Sequence, residues 1–158
     1  MLEGVITDLD GTAILSHPDA RPSQRVRDAA LSLPVPLVVA TGRSYALAAP
    51  VMGALGVTAP SVLAGGTQVV DPGTGTKLWE SPMDLDSAQA ACEIAAQLQG
   101  ELLIDDERLG QGTTGTLRRL EASASVMYLM NLTPSSAEWA REMLCQLPTL
   151  HAATLESW

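Results

Sequence analysis

The chain has 158 residues, 46% of them apolar and 17% charged, with a net charge of −9. This composition can bury a core and excludes a disordered chain. A single lysine, Lys77, among nine basic residues excludes a general nucleic-acid surface and disfavours anionic membranes, because both are bound by clustered Lys and Arg. Val5-Ile6-Thr7 is a short apolar, β-branched run ending in Asp8 and reads as a buried strand. Gly11, Pro18 and Pro22 mark a loop. Ser23 caps a helix expected from about Gln24 to Leu33, stopped by Pro34 and Pro36. Leu37 to Ala40 is a second strand, ending at Thr41-Gly42. Arg43 to Leu55 has helical spacing, with Pro50 expected to kink or shorten it and Gly56 as its C-terminal cap. Ser61 to Ala64 is a third strand, ending at Gly65-Gly66.

Strand, helix, strand, helix, strand is the pattern of a parallel α/β sheet. Ligands of such sheets bind beyond the carboxyl ends of the strands, here Asp8, Thr41 and Gly65. After Gly66 the pattern changes. Gln68 to Trp79 reads as a hairpin turning at Pro72-Gly73-Thr74-Gly75. Asp86 to Leu98 is an amphipathic helix and Leu102 to Ile104 a strand. Arg108 to Glu121 is expected as a loop with a helical turn. Val126 to Leu132 is a strand, Ser136 to Leu147 a helix capped by Thr133 or Ser135, and Leu150 to Leu155 a last strand. A small antiparallel sheet with two helices on one face is expected, with the domain boundary near Ser81-Pro82. Cys92 and Cys145 both fall in apolar helical periodicity and are expected as buried, reduced thiols. No 18-residue apolar run is present, and Met1-Leu2-Glu3-Gly4 lacks the regions of a signal peptide. The expected compartment is the cytoplasm, with no membrane span.

The sharpest chemical signal is Asp8-Leu9-Asp10-Gly11-Thr12, directly after a strand. Residues i and i+2 of a strand share a face, and a turn at Gly11 lets the two carboxylates converge. Carboxylates this close repel each other, and a divalent cation between them is one remedy. A metal-neutralised Asp is a competent nucleophile toward phosphorus, and a second Asp can serve as acid and base. Spacing alone leaves a solvated turn or half a calcium loop as the alternative. Thr41-Gly42 places a hydroxyl and amides before a helix, which makes either an anion site or an ordinary cap. Arg43 could reach substrate or lie on the helix surface.

Asp8-Leu9-Asp10-Gly11-Thr12 resembles the first motif of the haloacid dehalogenase phosphohydrolase superfamily, and Ala40-Thr41-Gly42-Arg43-Ser44 resembles the second. Gly65-Gly66-Thr67 before a hairpin resembles the end of the third core strand in the Cof-type branch, where a cap is inserted. The resemblance covers the whole chain. It implies an α/β fold: a partial Rossmann-like parallel core over residues 1–80 and a small α/β cap over 81–158. It implies a Mg²⁺-dependent phosphatase acting on a small phosphorylated metabolite, with sugar phosphates as the substrate class. Asp8 would be the nucleophile and a Mg²⁺ ligand. Asp10 would be the acid/base, with its backbone carbonyl on the metal. Thr41, Gly42, Arg43, Gly65 and Gly66 would meet the phosphoryl group and substrate.

The family pattern also has a lysine and an acidic pair after the cap, and here the sequence stops at Trp158. Two layouts follow. In the preferred one the chain ends after the cap. In the other it is a short capless enzyme with Lys77 as the phosphate clamp and Asp105 and Asp106 as the last metal ligands. The segment after Asp106 lacks a Gly-rich ligand loop and a core-type helix, which favours the first layout. Val5–Thr7 would then be an exposed apolar edge, expected to be covered by a second copy or by a complementing chain. The rival from another class is a non-catalytic binding module that kept only the first two motifs.

Overall fold

The computed structural model describes residues 3–17, 19–98, 101–104, 107–111, 127–130 and 132–147. The chain divides into two compact units, the first over residues 1–81 and the second over 82–156.

In the first unit, β1 (Val5–Thr7) pairs in parallel with β2 (Leu37–Val39), Val5 opposite Leu37 and Thr7 opposite Val39. Between them runs α1 (Gln24–Leu31). Ser23 caps it by accepting from the Val26 amide, and Ser32 closes it two residues before Pro34, so it ends short of the expected Leu33. After β2 comes α2 (Tyr45–Leu55), which ends on Gly56 in the left-handed conformation, φ +68°. The helix runs through Pro50 to the expected end at Leu55. Pro50 and Ala46 are both exposed, so water can take the carbonyl whose helical partner is missing. β3 (Ser61–Leu63) joins β2 by one parallel bridge, Ala40 to Val62, not by the full ladder the three-strand pattern implies. The Ser61 hydroxyl accepts the Val39 amide at 3.1 Å and takes a donor the ladder would have used. β4 (Gln68–Val70) and β5 (Lys77–Glu80) follow as an antiparallel meander on β3.

The strands alternate cleanly. Leu37, Val39, Leu63 and Val70 are buried and meet Ala48, Val51, Met52 and Leu55 of α2 in one core. Their neighbours Val38, Val62 and Val69 are half-buried on the opposite face, and Ile6 is 73% exposed there. β1 pairs with β2 alone among the described residues. Beside it an open groove of about 240 Å³ is lined by Val5, Thr7, Ala13, Val26, Ala30 and Leu33.

The second unit contains α3 (Leu85–Ala95), β6 (Glu101–Ile104), β7 (Glu107–Gln111), β8 (Met127–Met130) and α4 (Pro134–Leu144). Asp84 and Thr133 cap the two helices by accepting the Ser87 and Ser136 amides. The sheet is antiparallel in the order β7-β6-β8. Two small apolar clusters fasten it to α3: Met83 and Ala88 against Ile104 and Met127, and Cys92 and Ala95 against Ile104, Met127 and Leu129. β7 corrects the expectation of a loop from Arg108, since residues 107–111 pair with β6. The expected strand Leu150–Leu155 and most of the segment 108–121 lie outside the described residues. Cys92 is buried as expected, and burial pushes its thiol above the usual range. Cys145 is exposed, because it falls at the C-terminal cap of α4, past the last turn that packs.

Candidate active site

The ends of β1, β2 and β3 are held together by main-chain hydrogen bonds. The Ala40 amide donates to Thr7 at 2.9 Å, the Thr41 amide to Val62 at 3.0 Å and the Gly65 amide to Thr41 at 3.3 Å. These bonds set Asp8, Thr41 and Gly65 at one end of neighbouring strands, where the sequence pattern placed them.

Leu9 organises the first strand end. Its side chain is fully buried, while Asp8 is exposed and Asp10 is half-buried. Its carbonyl accepts the Thr12, Ala13 and Ile14 amides at 3.2, 2.9 and 2.9 Å, so the chain turns around this one residue. Gly11 sits at φ +73°, a conformation that favours glycine. The Asp8 carboxylate accepts the Leu9 amide at 2.6 Å through Oδ1. Both Asp10 oxygens are taken by Arg43, with Nε to Oδ2 at 2.8 Å and Nη2 to Oδ1 at 2.6 Å. The same Nη2 donates to the His17 carbonyl at 2.8 Å.

Arg43 is only 7% exposed. It therefore does not lie on the helix surface, and it is turned to Asp10. Its guanidinium is held above the usual arginine range, first by the hydrogen bond to Asp10, then by the charges of Asp10 and Asp8, against the opposing effect of burial. It stays cationic at every working pH. Main-chain bonds tie it to the other strand ends: its amide donates to the Thr41 hydroxyl at 3.2 Å and its carbonyl accepts the Ala64 amide at 2.8 Å. The sequence allows Arg43 a substrate contact or a place on the helix surface, and the structure gives it Asp10 instead. Ser44 caps α2 with its main chain only, and its buried hydroxyl has no hydrogen-bond partner among the described residues. At the third strand end Ala64, Gly65 and Gly66 have φ of +53°, +66° and +97°, and the two glycines are exposed.

The donor set bears on a divalent cation. No group of three His, Cys, Asp or Glu side chains gathers among the described residues. The Asp10 carboxylate is committed to Arg43, which leaves its main-chain carbonyl as the oxygen it brings. Asp8 brings its second carboxylate oxygen. One carboxylate and one carbonyl suit Mg²⁺, which commonly keeps several waters and takes further oxygens from a substrate phosphate. Lys77 is on β5 and pairs with Glu80 at 3.0 Å, both part-exposed. Asp105 and Asp106, the other half of the capless layout, lie outside the described residues.

The sequence model of a family described as haloacid dehalogenase-like hydrolase matches residues 5–115. No curated protein matches the chain. Among solved structures, a haloacid dehalogenase-like hydrolase from Bacteroides thetaiotaomicron is 20% identical with a TM-score of 0.55, over 66% of this chain and 41% of that one. A protein from Thermotoga maritima is 19% identical with a TM-score of 0.62, over 92% of this chain and 62% of its own. A structure described as a sugar phosphatase of subclass IIB is 14% identical with a TM-score of 0.51, over 68% of this chain and 43% of that one. These likenesses show a shared α/β fold, and in each case the chain spans less than two thirds of the length of the structure it matches.

Proposed function

The chain belongs to the haloacid dehalogenase-like hydrolases, and from that premise we propose that its site cleaves a phosphomonoester through a phosphorylated Asp8. The observation that carries this reading is the convergence at one sheet end of an exposed Asp8, the Thr41 hydroxyl and an Asp10–Arg43 pair.

Asp8 attacks the phosphorus through its second oxygen, while the Leu9 amide holds Oδ1 and fixes the carboxylate plane. The bond to the leaving alcohol breaks, and that oxygen takes a proton from the Asp10 carboxyl. Asp10 then removes a proton from the water that attacks the aspartyl-phosphate, returning free Asp8 and inorganic phosphate. α2 starts at Tyr45 with Ser44 as its cap, two residues later than the spacing implied, so Thr41 lies before the helix rather than at its first turn. Its hydroxyl, which accepts the Arg43 amide, donates its own proton to an equatorial phosphoryl oxygen. Gly65 and Gly66 allow backbone to approach the substrate without side chains in the way. Mg²⁺, held by the Asp8 carboxylate and the Asp10 main-chain carbonyl, would supply charge neutralisation between Asp8 and the phosphate.

The family resemblance gives the second unit the role of a cap that selects the organic part of the substrate. A small sugar phosphate is the class we favour, since one solved structure sharing the fold is described as a sugar phosphatase. Turnover of p-nitrophenyl phosphate with Mg²⁺ tests the reading. Asp8→Asn should abolish it, a loss of at least about a thousandfold for a covalent nucleophile. Equal rates for the two proteins would leave the binding-module reading in its place.

A further inference from the structure

Arg43 touches every strand-end segment of the site. Its fork closes on Asp10, the same Nη2 reaches the His17 carbonyl, its amide meets Thr41 and its carbonyl accepts Ala64. A residue waiting to bind substrate would present its guanidinium to solvent. This one is 7% exposed, and three of its side-chain hydrogen bonds go to the segment that follows β1. A planar fork that matches both oxygens of a carboxylate fixes the carboxylate's rotation as well as its position, which a lysine cannot do.

We propose that Arg43 is a positioning residue for Asp10: by clamping the carboxylate and the His17 carbonyl together it holds the segment 10–17 closed over the end of β1 and sets the face that Asp10 turns to the leaving group. This rests on the reading of Asp10 as the acid/base group. It gives Arg43 a different task from the substrate contact that the motif alone suggests. The arrangement has a direct chemical consequence. The fork occupies one lone pair on each Asp10 oxygen and leaves the others directed away from Arg43, so the clamp decides which side of the carboxylate is open.

The experiment uses the full chain and compares wild type with Arg43→Lys, Arg43→Ala and Asp10→Asn. Amide hydrogen exchange is read at Gly11, Ala13 and Ile14, with Val51 and Met52 of α2 as internal controls. Arg43→Lys and Asp10→Asn should each speed exchange at 11–14 by about tenfold or more, as expected for local opening, while the controls stay as in wild type. In p-nitrophenyl phosphate turnover, Arg43→Lys should lower kcat by about tenfold or more with KM within about twofold, and millimolar guanidinium should restore part of the kcat of Arg43→Ala. A raised KM with unchanged kcat would make Arg43 a phosphate ligand and overturn the proposal. So would unchanged exchange at 11–14 in Arg43→Lys. If wild type turns nothing over, the phosphatase reading falls, and amide exchange at 11–14 in Arg43→Lys and Asp10→Asn decides the clamp on its own.

Discussion

The two helices of the first unit differ more than their similar roles suggest. α2 buries Ala48, Val51, Met52 and Leu55 against β2 and β3, whereas α1 has no fully buried residue. The strands repeat the contrast. β2 alternates between core and half-buried positions, while β1 has Ile6 at 73% exposure, an open groove on its other face and no second neighbour among the described residues. Parallel strands are ordinarily covered on both faces and paired on both edges. The β2–α2–β3 side of the sheet therefore has the packing of a finished core, and the β1–α1 side does not. The candidate site lies across the boundary, with Asp8 and Asp10 on the open side and Thr41 and Arg43 on the packed side. The hydrogen bonds between them let the packed side hold the open one in register.

Substitutions can break that contrast or sharpen it. Met52→Ala should destabilise most, by about 2–5 kcal/mol in denaturant unfolding, because it leaves a cavity in the packed region. Gly56→Ala comes next, at about 1 kcal/mol or more, since a side chain at φ +68° is strained and its Cβ would lie 2.5 Å from Leu31 Cδ2. Ile6→Lys on the open side should change monomer stability by no more than about 0.5 kcal/mol. If a second copy covers that margin, sedimentation will show a dimer that Ile6→Lys disperses, and a monomer in both proteins would count against such a cover. Ser44→Ala should be neutral or slightly stabilising, because it removes a buried hydroxyl that has no partner. A decrease above about 1 kcal/mol would mean that the hydroxyl is satisfied in solution.

The hairpin offers a pH test away from both regions. The main-chain and side-chain donors of Thr74, with the Gly73 amide, hold the Asp71 carboxyl below its usual range. A lowered folded value contributes to stability above the ordinary carboxylate value, and that contribution fades as pH falls through the lowered one. The Asp71 side-chain signal in NMR should titrate below the ordinary aspartate range, and Thr74→Ala should raise it only part of the way, because the amides of residues 73 and 74 still donate.

What the sequence disclosed was local. The apolar triplets before Asp8, Thr41 and Gly65, the cap at Ser23 and the left-handed stop at Gly56 were all readable, because each depends on a few adjacent residues. Residues 107–111 hid their strand because Glu-Arg-Leu-Gly-Gln has neither alternation nor β-branched residues, and its partner β6 supplies the order. The Asp10–Arg43 clamp joins residues 33 positions apart, and no periodicity reports such a contact. The sequence singled out both of its members without showing that they meet.

Leu9 leaves a practical consequence. The one apolar residue between the two acids is anchored in the hydrophobic interior, so the geometry of the reactive groups inherits whatever happens to that interior. A survey of inactivating variants would rank position 9 beside its neighbours although it meets no ligand. Warming should likewise cost the site its geometry together with the core, because the anchor sits among the residues that melt last.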